Sequence, residues 1–298
     1  LMMRTESLDA TSTSRAVPAN NYMVGRYKRN LLRTSWLGAT VTDRESSTPG
    51  DYNRVYGTDV HFQFYRKLEI DSYLLRSDTP RRDGNNLAKD LLAAWKDDEW
   101  TVSGEYATVQ PNFNPEVGFV RRTNNVQYSA DLAWNPLIRR SAAIRNLKFA
   151  ESYDYYQNAL SRQFETRSYE TTAGVQLENN GSLTLVSNQS YDRLVAPFAI
   201  RANTVIPVGD YQSTRYTASL NSGNNRKLGM TASAAWGGFW SGTNTTYTAG
   251  LTARPNYHLN VDLSYSRNDV TLPVRNGRFT TGLVGAKIVY GFTPRAFF

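Results

Sequence analysis

The sequence predicts an all-β protein: a transmembrane antiparallel up-and-down β-barrel with about 16 strands visible and incomplete at both ends. Three observations predict it. Apolar and polar residues alternate at period two along most of the chain. Many alternating segments run about ten residues, the length a tilted strand needs to cross a bilayer. Long and short connections between these segments follow one another in turn.

The alternation is clearest in four stretches. Val60, Phe62 and Phe64 alternate with His61 and Gln63; Tyr128, Ala130, Leu132 and Trp134 alternate with Ser129, Asp131 and Ala133. Leu228, Met230, Ala232, Ala234 and Trp236 alternate with Gly229, Thr231 and Ser233; Tyr257, Leu259, Val261, Leu263 and Tyr265 alternate with His258, Asn260, Asp262 and Ser264. Successive strand side chains point to opposite faces, so each stretch has one apolar and one polar face. A helical pattern fits weakly around residues 87–95, which read as a strand too. Sixteen strands are expected, starting near Leu1, Tyr22, Trp36, Val55, Leu68, Leu87, Trp100, Val126, Leu147, Gln163, Ser182, Tyr211, Leu228, Thr243, Tyr257 and Arg278. Together they make one barrel domain over residues 1–298, expected to be a fragment of a longer protein.

Short connections fall at Arg66, Asp97, Glu178, Gly223 and Arg254; long ones span 42–54, 77–86, 108–124, 192–210 and 268–277. In a meander, alternate connections lie at the same end of the sheet, so tight turns gather at one end and long loops at the other. Outer-membrane barrels have that asymmetry. The 135–146 link and the turn near Gly237 depart from it. Tyr and Trp gather near strand ends, where an apolar body and a polar tip suit the bilayer boundary. A blade period of about 40–50 residues, the mark of a propeller, is missing.

Composition narrows the function. There is no cysteine, hence neither a disulfide framework nor a thiolate metal site, and the two histidines, His61 and His258, lie far apart. Lys and Arg total 34 against 26 Asp and Glu, but the basic residues are spread along the chain, which argues against nucleic acid. No apolar run is long enough for a spanning helix, and the first residues do not read as a signal peptide.

Residues 110–125, QPNFNPEVGFVRRTNN, are too polar for a core and too patterned for a linker. Pro111 and Pro115 fix φ and donate no backbone hydrogen bond, and Asn112 and Asn114 are turn formers. Phe113 and Phe119 are expected to pin this loop to a wall, with Glu116 pairing to Arg121 or Arg122. The loop then folds over or into the barrel mouth as a plug, or its Phe113, Asn114, Glu116, Phe119, Arg121 and Arg122 contact a ligand. Under the alternation, Glu69, Asp71, Lys148, Asp154, Glu170, Asp262 and Lys287 line the interior, as an ion-pair network or a translocation path.

Several stretches together resemble a known group: NYMVGRYKRN at Asn21, NRVYGTDVHF at Asn53, NFNPEVGFVRR at Asn112, YDRLVAPFAI with VIPVGDY ending at Tyr211, GGFWSGT at Gly237, LSYSRNDVTLP at Leu263 and YGFTPR at Tyr290. They resemble the C-terminal membrane-barrel region of a bacterial family of unknown function whose members usually carry an N-terminal domain similar to carbohydrate-binding family 9. The resemblance covers essentially all 298 residues. It implies the bacterial outer membrane, with outer-membrane lipid as partner, a further N-terminal domain in the intact chain, and a link to glycan handling. It supplies no catalytic residues.

No catalytic or cofactor motif stands out. There is no G-x-S-x-G elbow and no phosphate loop. Asp97 and Asp98 sit in a tight turn, and Asp51 and Asp210 follow glycine in long loops without the dense oxygen ligands calcium needs. The expected function is therefore non-enzymatic, without cofactor or metal: a channel, receptor, or export or anchoring barrel. Two alternatives stay open. A barrel-based outer-membrane hydrolase requires His61 or His258 beside a serine and a carboxylate. A soluble β-rich interaction protein requires a packed apolar core.

Overall fold

The computed structural model describes residues 1–7, 17–223, 226–293 and 296–297, and among them every helix-or-strand element is a strand. In order these are β1 (Met2–Arg4), β2 (Asn20–Asn30), β3 (Trp36–Ser46), β4 (Tyr52–Phe64), β5 (Leu68–Asp78), β6 (Leu87–Lys96), β7 (Trp100–Val109), β8 (Asn125–Trp134), β9 (Ile144–Asn158) and β10 (Phe164–Leu177). There follow β11 (Ser182–Leu194), β12 (Phe198–Arg201), β13 (Thr204–Ile206), β14 (Gly209–Asn221), β15 (Leu228–Phe239), β16 (Gly242–Ala253), β17 (Leu259–Thr271), β18 (Arg278–Thr293) and β19 (Ala296–Phe297). The sixteen expected strands correspond to β1–β11 and β14–β18, which form an antiparallel up-and-down sheet in which sequence neighbours pair. The sequence reading missed the hairpin β12–β13 and the two-residue β19.

Strand ends needed correction. β3 continues to Ser46 and β4 begins at Tyr52, so the expected 42–54 loop shrinks to a turn over 47–51. The expected 268–277 loop likewise shrinks to 272–277. Polar residues at these ends, Arg44 and Asn53 among them, remain hydrogen-bonded in the ladder because the pairing continues under them. Of the short connection at Gly223, residues 224 and 225 lie outside the described residues, as do 294 and 295 of the closing YGFTPR stretch.

By contact the chain divides into two compact units. The first comprises Leu1–Asp97, Val102–Ala130 and Tyr155–Phe164. The second comprises Asp98–Thr101, Asp131–Asp154 and Glu165–Phe298.

In the first unit the register fixes which side chains share a face. Directly opposed residues of an antiparallel pair point the same way. Trp36, His61 and Asp71 are opposed in succession across β3, β4 and β5; Gly38, Asp59, Tyr73 and Asp90 follow one another from β3 to β6. The other face carries Leu37 against Val60, Phe62 against Ile70 and Thr58 against Leu74. Leu37, Leu74, Leu91, Tyr106 and Tyr128 are exposed on that side. One side of the sheet is therefore polar and hydrogen-bonded, and the other is apolar and bare. The tight 65–66 turn shows why the hairpin closes there. Tyr65 and Arg66 both have positive φ, as a type I′ turn demands, and Lys67 N–H donates to the Phe64 carbonyl.

The second unit repeats the division. Leu183, Leu185, Leu220, Trp236, Leu263, Tyr265 and Ile288 are exposed on one face. Glu170 opposite Asn188, Asn188 opposite Arg215, and Asp262 opposite Lys287 occupy the other. Trp100, Trp134 and Phe149 stack in a row on the apolar face, with ring centroids 5.6 and 5.7 Å apart.

Candidate functional site

The buried clusters of the described residues lie where long connections fold onto the polar face. In the first unit the 110–124 loop is held by three strand residues. Asn53, 0% exposed, donates from Nδ2 to the Asn114 carbonyl at 2.7 Å and to Thr79 Oγ1 at 2.7 Å, while its Oδ1 accepts from Glu116 N–H at 3.4 Å. Ser77 Oγ accepts from Asn114 N–H at 3.0 Å. Arg44, buried in β3, reaches Asn20 Oδ1 at 3.0 Å, Asp51 Oδ1 at 2.6 Å and the Glu116 carboxylate. Its Nε meets Glu116 as an ion pair rather than as a well-angled hydrogen bond. The Arg44 guanidinium also holds the Asp51 carboxyl below the usual carboxylate range.

The base of the loop is tied as well. Gln110 Oε1 accepts from Leu87 N–H at 2.9 Å, and Asn112 Nδ2 donates to the Gly84 carbonyl at 2.9 Å. Phe113, 2% exposed, completes a small apolar cluster with Val55 and Ala88, flanked by Tyr73, Leu75, Val109 and Val120. Backbone that joins no ladder must satisfy its polar groups otherwise when buried, and here side chains of the strand wall do so.

These placements correct two expectations. Phe119 pins nothing; it is 87% exposed. It follows Gly118, whose N–H closes a turn onto the Pro115 carbonyl at 2.7 Å. Glu116 pairs with Arg44 rather than across the loop, while Arg122 lies 5.7 Å from the Tyr156 ring. Asn114 is a structural link through its backbone, and its side chain donates to Glu116 Oε1 at 3.0 Å. Arg44, Asn53 and Ser77 were missed by the sequence reading. The signal was present: the period-two pattern continues through Thr42 and Arg44.

Between this loop and the wall lies a cavity of about 510 Å³. Tyr73, Asp90, Glu105 and Gln127 line it from the strands, and Phe119, Val120, Arg121 and Arg122 from the loop. The Asp90 and Glu105 carboxyls line it from the neighbouring strands β6 and β7. Glu105 also accepts from Ser129 Oγ at 3.1 Å. Phe119, Arg121 and Arg122 thus share one cavity, whereas Phe113, Asn114 and Glu116 belong to the clamp.

The seven charges expected in the interior occupy polar-face positions in a variety of settings. Glu69 accepts from Gln63 Nε2 at 3.0 Å, and Asp71 lies 2.7 Å from His61 Nδ1. In the second unit, Glu170 accepts from Asn188 Nδ2 at 3.4 Å. Asp262 accepts from Thr252 Oγ1 and Asn260 Nδ2, each at 2.8 Å, and faces Lys287 across the ladder. Lys148 is exposed, and Asp154, on the same face of β9, is half-buried.

The 195–208 connection of the second unit is fastened differently. Its hairpin β12–β13 buries Ile206 against Val270 and Leu272, with Leu194, Ile200, Tyr211, Phe239 and Trp240 around them. Thr204 Oγ1 donates to the Asn276 carbonyl at 3.1 Å, and Arg201 lies 4.6 Å from the Phe279 ring. At its base Arg193 grips Asp210 through two contacts, at 2.7 and 3.0 Å.

His61 and Asp71 form two parts of a hydrolase constellation, with Trp36 stacked on the imidazole at 5.9 Å. Among the described residues no hydrogen bond links His61 to a serine; the hydroxyl of Ser35, the buried serine of that region, accepts from Gln63 N–H at 3.0 Å. Searches against family models and against curated proteins found no match for this chain.

Proposed function

We propose that this chain is the membrane-spanning part of a bacterial outer-membrane β-barrel acting as a channel or receptor, its polar face turned inward and its 110–124 and 195–208 connections folded into the bore. The observation that carries the reading is the bare apolar face. Strands of 10–16 residues present Leu, Val, Tyr and Trp outward over their length, opposite a face of hydrogen-bonded polar side chains. In water such an area promotes association; in a bilayer it is the surface that lipid requires.

The aromatic spacing supports it. Trp100 and Tyr106, Tyr128 and Trp134, and Phe149 and Tyr155 are each six residues apart on one strand. At strand rise that is about 20 Å along the strand, or about 15 Å of height at the usual tilt, which fits within the apolar band of about 25 Å of outer-membrane barrels. Charged residues stand on that face as well, Lys89, Glu151 and Arg267 among them. Glu151, on the face that carries Phe149 and Tyr153, accepts from Thr171 Oγ1 at 2.8 Å and bonds Tyr169. These partners reduce the cost of a carboxylate facing lipid.

Glycan handling, the solute class that the family resemblance implies, belongs to this proposal too. The test is refolding of the chain with lipid vesicles, followed by protease digestion and planar-bilayer conductance with and without oligosaccharide. Insertion predicts fragments protected over the strands. Steady conductance blocked by an oligosaccharide supports a channel, whereas protection without conductance supports a receptor closed by its loops. A monodisperse chain without detergent, fully digested beside vesicles, overturns the membrane reading.

A further inference from the structure

The cavity beneath the 110–124 loop has walls of opposite sign. On the strand side two carboxyls, Asp90 and Glu105, line it together. On the loop side are Arg121 and Arg122. Carboxyl groups gathered on one wall bring acceptors in excess of donors. That excess awaits a donor. An ammonium brings three N–H donors and a full positive charge, and fits it better than a neutral hydroxyl. The guanidinium fork is in turn matched to a carboxylate. A dipolar solute laid across the cavity therefore meets complementary charge at both ends. The volume of about 510 Å³ suits a molecule of drug or tripeptide size. Tyr73 and the outstanding Phe119 supply apolar contact between the charged ends.

From this geometry we propose that the cavity binds zwitterionic solutes of tripeptide size, the ammonium on Asp90 and Glu105 and the carboxylate on Arg121 and Arg122. This deepens the channel or receptor reading by naming a solute class and its site, but the binding itself stands on the first unit alone.

Titration of the folded full chain with three peptides tests it: triglycine, N-acetyltriglycine and triglycinamide, with the neutral trisaccharide raffinose as comparison. Triglycine is expected to bind about tenfold more tightly than either capped form, each cap having removed one charged hydrogen-bonding end. Asp90→Asn with Glu105→Gln is expected to abolish the gap to N-acetyltriglycine, and Arg121→Ala with Arg122→Ala the gap to triglycinamide. Should the wall pair disturb folding, the single Glu105→Gln removes one carboxyl at nearly constant shape and narrows the first gap alone. Equal binding of all three peptides, no peptide binding, or raffinose binding as tightly as triglycine overturns the proposal, the last in favour of a sugar site. The titration is independent of membrane insertion. A chain that fails to insert and still discriminates the peptides refutes the barrel and keeps the site; a chain that inserts and does not discriminate does the reverse.

Discussion

The 110–124 and 195–208 connections meet the same requirement in opposite ways. Each is a long stretch between adjacent strands, and each folds onto the polar face of its own unit. The first has no secondary structure of its own, so the wall supplies its hydrogen bonds through Asn53, Ser77 and Arg44, and a single ring, Phe113, anchors it. The second forms the hairpin β12–β13, pairs much of its own backbone, and asks the wall mainly for apolar contact at Val270 and Leu272. An irregular loop thus imposes specific polar residues on the strands beneath it, while a hairpin imposes shape.

Removing each anchor sharpens that comparison most. Phe113→Ala is expected to cost about 3–5 kcal/mol if the cavity it leaves does not collapse. Because one ring carries the apolar part, most of the loss should appear as release of the loop. Ile206→Ala is expected to cost about 3 kcal/mol, with the hairpin better retained, since Leu194, Ile200 and Trp240 remain around it. Urea unfolding of the detergent-folded chain gives the totals, and amide exchange within each connection shows which one opens. Equal opening of the two would remove the distinction.

The polar clamps separate the two further. Asn53→Ala leaves the Asn114 carbonyl and the Glu116 N–H without their partner in a buried site, an expected cost of about 2 kcal/mol. Thr204→Val removes the single bond to Asn276 and keeps the shape, so about 1 kcal/mol is expected. Matching losses would mean that the hairpin depends on polar fastening as heavily as the loop does.

How far these differences could be read in advance follows from the residues. Strands were legible because Val, Ile, Tyr, Phe and Trp alternate with polar residues over lengths that turns interrupt. The hairpin was not, because FAI and TVI are three-residue runs between Pro197 and Pro207 and read as loop. The clue was Asn203, which takes positive φ at the hairpin's tip. Phe113 and Phe119 are equivalent in composition and opposite in burial, since the turn at Gly118 separates them and only contacts with distant strands decide which ring is covered. Arg44 and Asn53 read as loop residues because charge and amide at a strand end resemble a turn. Their partners lie at sequence distances that no local pattern reveals.

The tip itself offers a smaller test. Asn203→Ala keeps a β-carbon in the left-handed region but loses the short polar side chain that lets Asn tolerate it, and is expected to cost about 1 kcal/mol, while Asn203→Gly should cost close to nothing. Both effects should stay within the hairpin, read by exchange at β12 and β13, if that element is self-contained.

The smallest effect is electrostatic and belongs to the first loop. Asp51, half exposed in the 47–51 turn, is held ionised by Arg44, the residue that also binds Glu116 of the loop. Its carboxyl is depressed in the folded state from an ordinary value of 3.8. The sign follows from proton linkage: a group with a depressed folded value contributes stability above its unfolded value, and that contribution disappears as pH falls through the folded one. The gap in 110–124 exchange protection between the wild type and Asp51→Asn should therefore be constant above about pH 5 and close progressively below about pH 4. A gap unchanged at pH 3 would mean that Asp51 positions Arg44 through hydrogen bonding that does not need its charge.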